Sequence, residues 1–156
     1  MRHTDLLAAV IETALTAGTT VRFRAEGTSM YPTIRDGEAI TIAAICADDI
    51  VRGDVLLCRH ETRMVAHRVI GVATRGPDRV FELRGDSKAS SDVPVNANAV
   101  IGRITGVRRN GRLVHLCGRA ARLRHSVRAA ASLLKWRIMP AVTVLFGVSS
   151  RPSSSM

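Results

Sequence analysis

The chain has 156 residues, 46% of them hydrophobic, which suits one domain with one apolar core, and its 3% aromatic content is too low for a base-stacking nucleic-acid platform. The net charge of +10 sits at one end: all 13 acidic residues lie at or before Asp92, among 12 Lys and Arg, whereas residues 93–156 carry 11 basic residues and no acid. No recognition motif accompanies that basic tail, so nucleic acid is not an expected partner.

In chain order, residues 4–17 (TDLLAAVIETALTA) put Leu6, Leu7, Val10, Ile11, Ala14 and Leu15 at helical spacing, with Thr4 or Asp5 to cap the start and Gly18 to end it. Asp5 and Glu12 interrupt the apolar stretch, which excludes a secretory signal, and the segment is too short to span a bilayer. From residue 20 the period changes. Short β-type runs at 20–25, 39–45, 54–59, 64–72, 79–84, 99–108 and 112–116 alternate with turn signals, of which Asn110-Gly111 is the strongest for a two-residue hairpin. Many short strands at regular spacing predict a mainly β fold, a compact antiparallel sheet or barrel.

Residues 118–137 read as a basic helix, and 138–148 (IMPAVTVLFGV) as an apolar run of 11 residues, short of the roughly 20 a spanning helix needs. The last residues, 149–156, read as a disordered tail. The expected organisation is thus an N-terminal amphipathic helix (1–18), a β domain (19–117), a basic helix with a short apolar run (118–148) and the tail. A basic helix followed by a short apolar segment has the composition of a surface-lying anchor, so an anionic membrane surface is a candidate partner for 118–148. The expected location is cytoplasmic or peripheral on a membrane. Cys46, Cys58 and Cys117 are an odd set without metal-ligand spacing, read as small apolar core residues, and no metal or cofactor is expected.

Three segments carry chemistry. In the first, Ser29 lies in a turn between apolar strands, with Gly27 allowing tight backbone geometry and Pro32 fixing the exit. In the second, His67 lies in the run VAHRVIGV, where alternation puts Ala66 and Arg68 on one face and His67 on the other. A serine hydroxyl is a weak nucleophile until a base takes its proton, and a carboxylate beside an imidazole fixes its tautomer. Asp86 and Asp92, in the third segment, are the candidate carboxylates.

The order and spacing of these segments resemble the type I signal peptidases and the related self-cleaving SOS repressors, over about Val21 to Gly106. Gly27-Thr28-Ser29-Met30-Tyr31-Pro32-Thr33 is similar to the nucleophile motif of that family. Arg52-Gly53-Asp54-Val55-Leu56 is similar to the strand leading to the base, and Gly85-Asp86-Ser87 with Asp92 to its Gly-Asp box. The resemblance implies a signal-peptidase-like β domain and a serine endopeptidase cutting after small residues in an extended polypeptide. It makes Ser29 the nucleophile and Asp92 the orienting acid, with Asp86 as second choice. Gly27, Thr28, Met30, Pro32 and Arg68 become motif or substrate-pocket residues. His67 stands where most bacterial members carry a lysine, as in the endoplasmic-reticulum and archaeal signal peptidases. Neither of the two lysines, Lys88 and Lys135, lies in the base segment. A histidine base needs no large pKa shift, so an open site is expected, with an acidic limb near about pH 6 to 7. Two other readings are a self-cleaving protein, for which Ala17-Gly18 and Cys117-Gly118 are dipeptides of the right type, and a non-catalytic descendant binding a membrane or partner through its tail.

Overall fold

A computed structural model of the chain describes residues 3–61 and 63–117. The expected basic helix, apolar run and tail lie outside the described residues. Among the described residues no helix is long and apolar enough to cross a membrane.

One helix, α1 (His3–Thr16), precedes eight strands: β1 (Val21–Arg24), β2 (Ala39–Ala43), β3 (Val55–His60), β4 (Arg63–Arg75), β5 (Asp78–Arg84), β6 (Val95–Asn96), β7 (Val100–Arg109) and β8 (Arg112–His115). They form one antiparallel sheet in the order β1-β2-β7-β3-β4-β5-β6, with β8 paired to β7. The sheet is open rather than closed into a barrel.

Both faces of the central strand are covered, and alternation divides its side chains between two cores. Val55 and Leu57 join Met30, Ile34, Ile40, Ile42, Ile104 and Val107 on the face under α1. Leu56 and Cys58 join Ile50, Val69, Phe81 and Leu83 on the other. The same division runs along β4, where Met64 and Ala66 pack against the first core and Val65 and Val69 belong with the second.

The helix buries a different stripe from the one the apolar spacing predicts. Ala8, Ile11 and Leu15 are buried, while Leu6, Leu7 and Val10 are 51%, 42% and 58% exposed. The cause is close approach to β7. A Cβ on Gly102 would stand 2.9 Å from Leu15 Cδ1 and 2.8 Å from the Ala43 carbonyl, so only a narrow contact line with a small residue at Ala8 fits. As expected, Gly18 stops the helix just beyond Thr16, with the Gly18 and Thr19 N–H groups closing back on the Leu15 and Ala14 carbonyls. Of the cysteines, Cys58 is a core residue, and burial pushes its thiol up to about 12, whereas Cys46 is exposed and Cys117 half-buried.

Candidate active site

Ser29 lies in the β1–β2 loop, which is fastened at both ends. The Ala25 and Gly37 N–H groups donate to the Glu38 and Ala25 carbonyls, and Gly27 N–H donates to Asp36 Oδ1 at 2.7 Å. Glu38 is gripped by Arg109, whose Nη2 also donates to the Thr33 carbonyl at 3.1 Å. The Arg109 guanidinium holds the Glu38 carboxyl below its ordinary range. Met30 and Ile34 anchor the loop in the core at 4% and 2% exposure, which leaves Ser29 half-buried at its rim.

His67 enters from β4, opposite Leu56 of β3. Its Nε2 is 3.2 Å from Ser29 Oγ, and its Nδ1 meets Asp92 Oδ2. A carboxylate only accepts, so Nδ1 carries the imidazole proton and Nε2 is left to accept from the Ser29 hydroxyl. Asp92 is placed by its own N–H, which donates to the Leu83 carbonyl at 2.8 Å and folds the segment after β5 back on that strand.

Asp86, the second candidate for the acid, is engaged elsewhere. Its carboxylate receives Arg68 Nε at 2.7 Å and Nη2 at 2.6 Å, together with the Thr33 hydroxyl. Arg68 also donates to the Gly53 carbonyl at 2.9 Å. It is therefore no pocket residue: it is 4% exposed and lies on the opposite face of β4 from His67, joining the Ser29 loop to the turn after β5. Breaking a buried ion pair by neutralising one partner costs about 3 kcal/mol or more. Asp86→Asn is accordingly expected to lower the melting temperature by at least about 10 °C, read by calorimetry.

The structure brings Ser29, His67 and Asp92 into one line beside a groove of about 580 Å³. Gly27, Thr28 and Met30 line it, together with Ala25, Ile34 and residues 63–67. Pro32 does not, and its carbonyl instead receives Arg109 at 3.4 Å. The β5 ladder begins only at Arg68, so among the described residues the start of β4 shows a free edge on this side.

Three contributors had no role assigned from the sequence, although Gly85 and Ser87 lie within the third motif. A Cβ on Gly85 would fall 2.6 Å from the Ser29 carbonyl oxygen and 3.3 Å from His67 Nε2. Gly85 thus lets the Ser29 loop and His67 close on each other, whereas its motif reads as a turn. Gly85→Ala is expected to lower kcat at least about tenfold by displacing Ser29, with a smaller effect on KM. Ser87 donates from N and Oγ to the Ser29 carbonyl, each at 3.0 Å. Lys88 donates to Asp92 Oδ1 at 3.3 Å, a contact made across an irregular turn that no local spacing marks.

His67 is 3% exposed, so the histidine itself is buried although it and the half-buried Ser29 border an open groove. Burial pushes its pKa below the ordinary 6.5, against Asp92, which raises it; Lys88 lowers it further and Asp86 raises it. Only neutral imidazole accepts the serine proton, so kcat/KM should rise with pH through that lowered value and be level above 6.5. The corresponding contribution to stability is full above 6.5 and is lost as pH falls through the lowered value. An acidic limb centred above 6.5 would contradict this assignment.

A scan against protein-family models finds no match to the chain, and a search of curated proteins finds none either.

Proposed function

We propose that the protein is a serine endopeptidase of the signal peptidase I type, acting by acyl transfer. The observation that carries the reading is the continuous line from Ser29 Oγ through both nitrogens of a buried imidazole to Asp92. Each partner has the donor or acceptor its neighbour requires.

In this reading Ser29 Oγ attacks the substrate carbonyl as His67 Nε2 takes its proton. The imidazolium, held by the ionised Asp92, then gives that proton to the leaving amine, and water repeats the sequence to release the acyl group. Backbone N–H groups near Ser29 hold the charge that develops on the carbonyl oxygen, since Gly27 offers no side-chain hydroxyl. The groove suits an extended polypeptide: β1 is an edge strand, and the start of β4 offers a second free edge across from it. Part of its lining, from Ala25, Met30, Ile34 and Ala66, is apolar, beside the charged Glu26, Arg63 and Lys88, and that apolar part favours small, uncharged side chains before the cut bond.

The test is covalent labelling with a fluorophosphonate, which bonds to an activated serine oxygen. One equivalent on Ser29 by intact mass and peptide mapping, absent in Ser29→Ala and His67→Ala, is the expected result. A folded protein that stays unlabelled over the range where His67 is neutral would overturn the reading.

A further inference from the structure

Lys88 belongs to none of the motif positions, yet it stands against the candidate acid. Its Nζ is 3.3 Å from Asp92 Oδ1, while Asp92 Oδ2 is the atom that meets His67 Nδ1. The two oxygens of one carboxylate are therefore divided between a cation and the base. The turn that carries both residues is fixed at each end, by Lys88 N–H to the Gly85 carbonyl at 3.0 Å and by Asp92 N–H to the Leu83 carbonyl at 2.8 Å. Lys88 also lines the groove beside Ser29 and His67.

We propose that Lys88 is a positioning residue for the reaction: its ammonium holds the Asp92 carboxylate in the rotation that presents Oδ2 to His67, and its charge opposes a second positive charge on the imidazole. The inference rests on the peptidase reading. It predicts a division of labour. Asp92 stabilises the imidazolium that forms when Ser29 is deprotonated, whereas Lys88 keeps the resting imidazole neutral and fixes Asp92.

The charged groups around His67 are few. Asp92 and Lys88 come from the turn after β5, Asp86 comes from the same turn tied to Arg68, and Glu26 and Arg63 lie at the groove rim. Burial has the largest hold on the imidazole and keeps it neutral, Asp92 opposes that, and Lys88 reinforces it. A neutral side chain at position 88 should therefore raise the His67 pKa. Because the lysine is 43% exposed on its side chain, screening limits the effect, and a loss of about three- to tenfold in kcat is expected rather than inactivation.

The test follows the His67 ring proton by NMR titration in a Ser29→Ala background, so that no turnover is needed, for native Lys88, Lys88→Met and Lys88→Arg. The kcat/KM profile is measured for the same substitutions with Ser29 intact. Lys88→Met is expected to move the His67 titration and the acidic limb together to higher pH, with kcat down about three- to tenfold. Lys88→Arg should restore both. An unchanged His67 titration in Lys88→Met overturns the inference, and so does a kcat loss that Lys88→Arg does not recover. Failure of the peptidase reading is seen separately, as absence of Ser29 labelling in the protein with native Lys88.

Discussion

His67→Ala is expected to abolish turnover while the sheet survives. Removing the base of a serine–histidine pair lowers kcat by about 10⁵- to 10⁶-fold, because the hydroxyl then has nothing to take its proton and residual catalysis falls to binding and oxyanion stabilisation. The fold should persist for a local reason. Among the described residues the His67 side chain hydrogen-bonds to Asp92 and Ser29, while β4 stays held by its ladders to β3 and β5 and by Val69 in the second core. The ring leaves a cavity beside the groove, for which a loss of about 1 to 3 kcal/mol is reasonable. Turnover of a peptide with small residues before the cut, fluorophosphonate labelling and a thermal melt give the three readouts. A folded His67→Ala protein that still cleaves would place the base elsewhere. A protein that does not fold would be replaced by His67→Gln, which fills the space and cannot act as a base at neutral pH.

The strands were legible because alternation and turn chemistry agree in this chain. Asn110-Gly111 closes the β7–β8 hairpin as its sequence predicts, and the run ending at Arg84 stops where Gly85 begins the turn. The two-residue β6 was not legible, since Val95–Asn96 follows Pro94 and is too short to alternate. The helix was legible and its buried face was not, because that face depends on how closely β7 lets it approach at Gly102. Ser29, His67 and Asp92 stood out by motif order. Their surroundings did not: alternation separates His67 from Arg68 along β4, but it does not tell that Arg68 is taken up by Asp86 while His67 turns to Ser29. The burial of His67 is likewise a product of covering both faces of β4, which no local pattern of residues encodes.

Asp92→Asn is expected to cost about 10² to 10⁴ in kcat with little loss of stability. The carboxylate accepts from His67 Nδ1 and so keeps Nε2 free for the serine proton. An amide at this position can turn its NH₂ toward Nδ1, which then becomes the acceptor; the ring proton moves to Nε2, and the nitrogen facing Ser29 can no longer take a proton. The imidazolium formed during reaction also loses its counter-charge. Stability should change little, because Asp92 keeps its backbone hydrogen bond to Leu83 and its partner His67 is neutral at rest, so that no buried charge is left uncompensated. Asp86→Asn should behave in the opposite way, since its carboxylate receives a permanently charged guanidinium that is 4% exposed and would be left without its counter-charge. Measured side by side, Asp92→Asn should fall far in kcat at nearly native melting temperature, and Asp86→Asn should melt early yet retain most of its turnover well below its transition. If Asp86→Asn instead lost turnover at native stability while Asp92→Asn kept it, Asp86 would be the acid that serves the base, and the line of atoms from Asp92 to Ser29 would have no catalytic meaning.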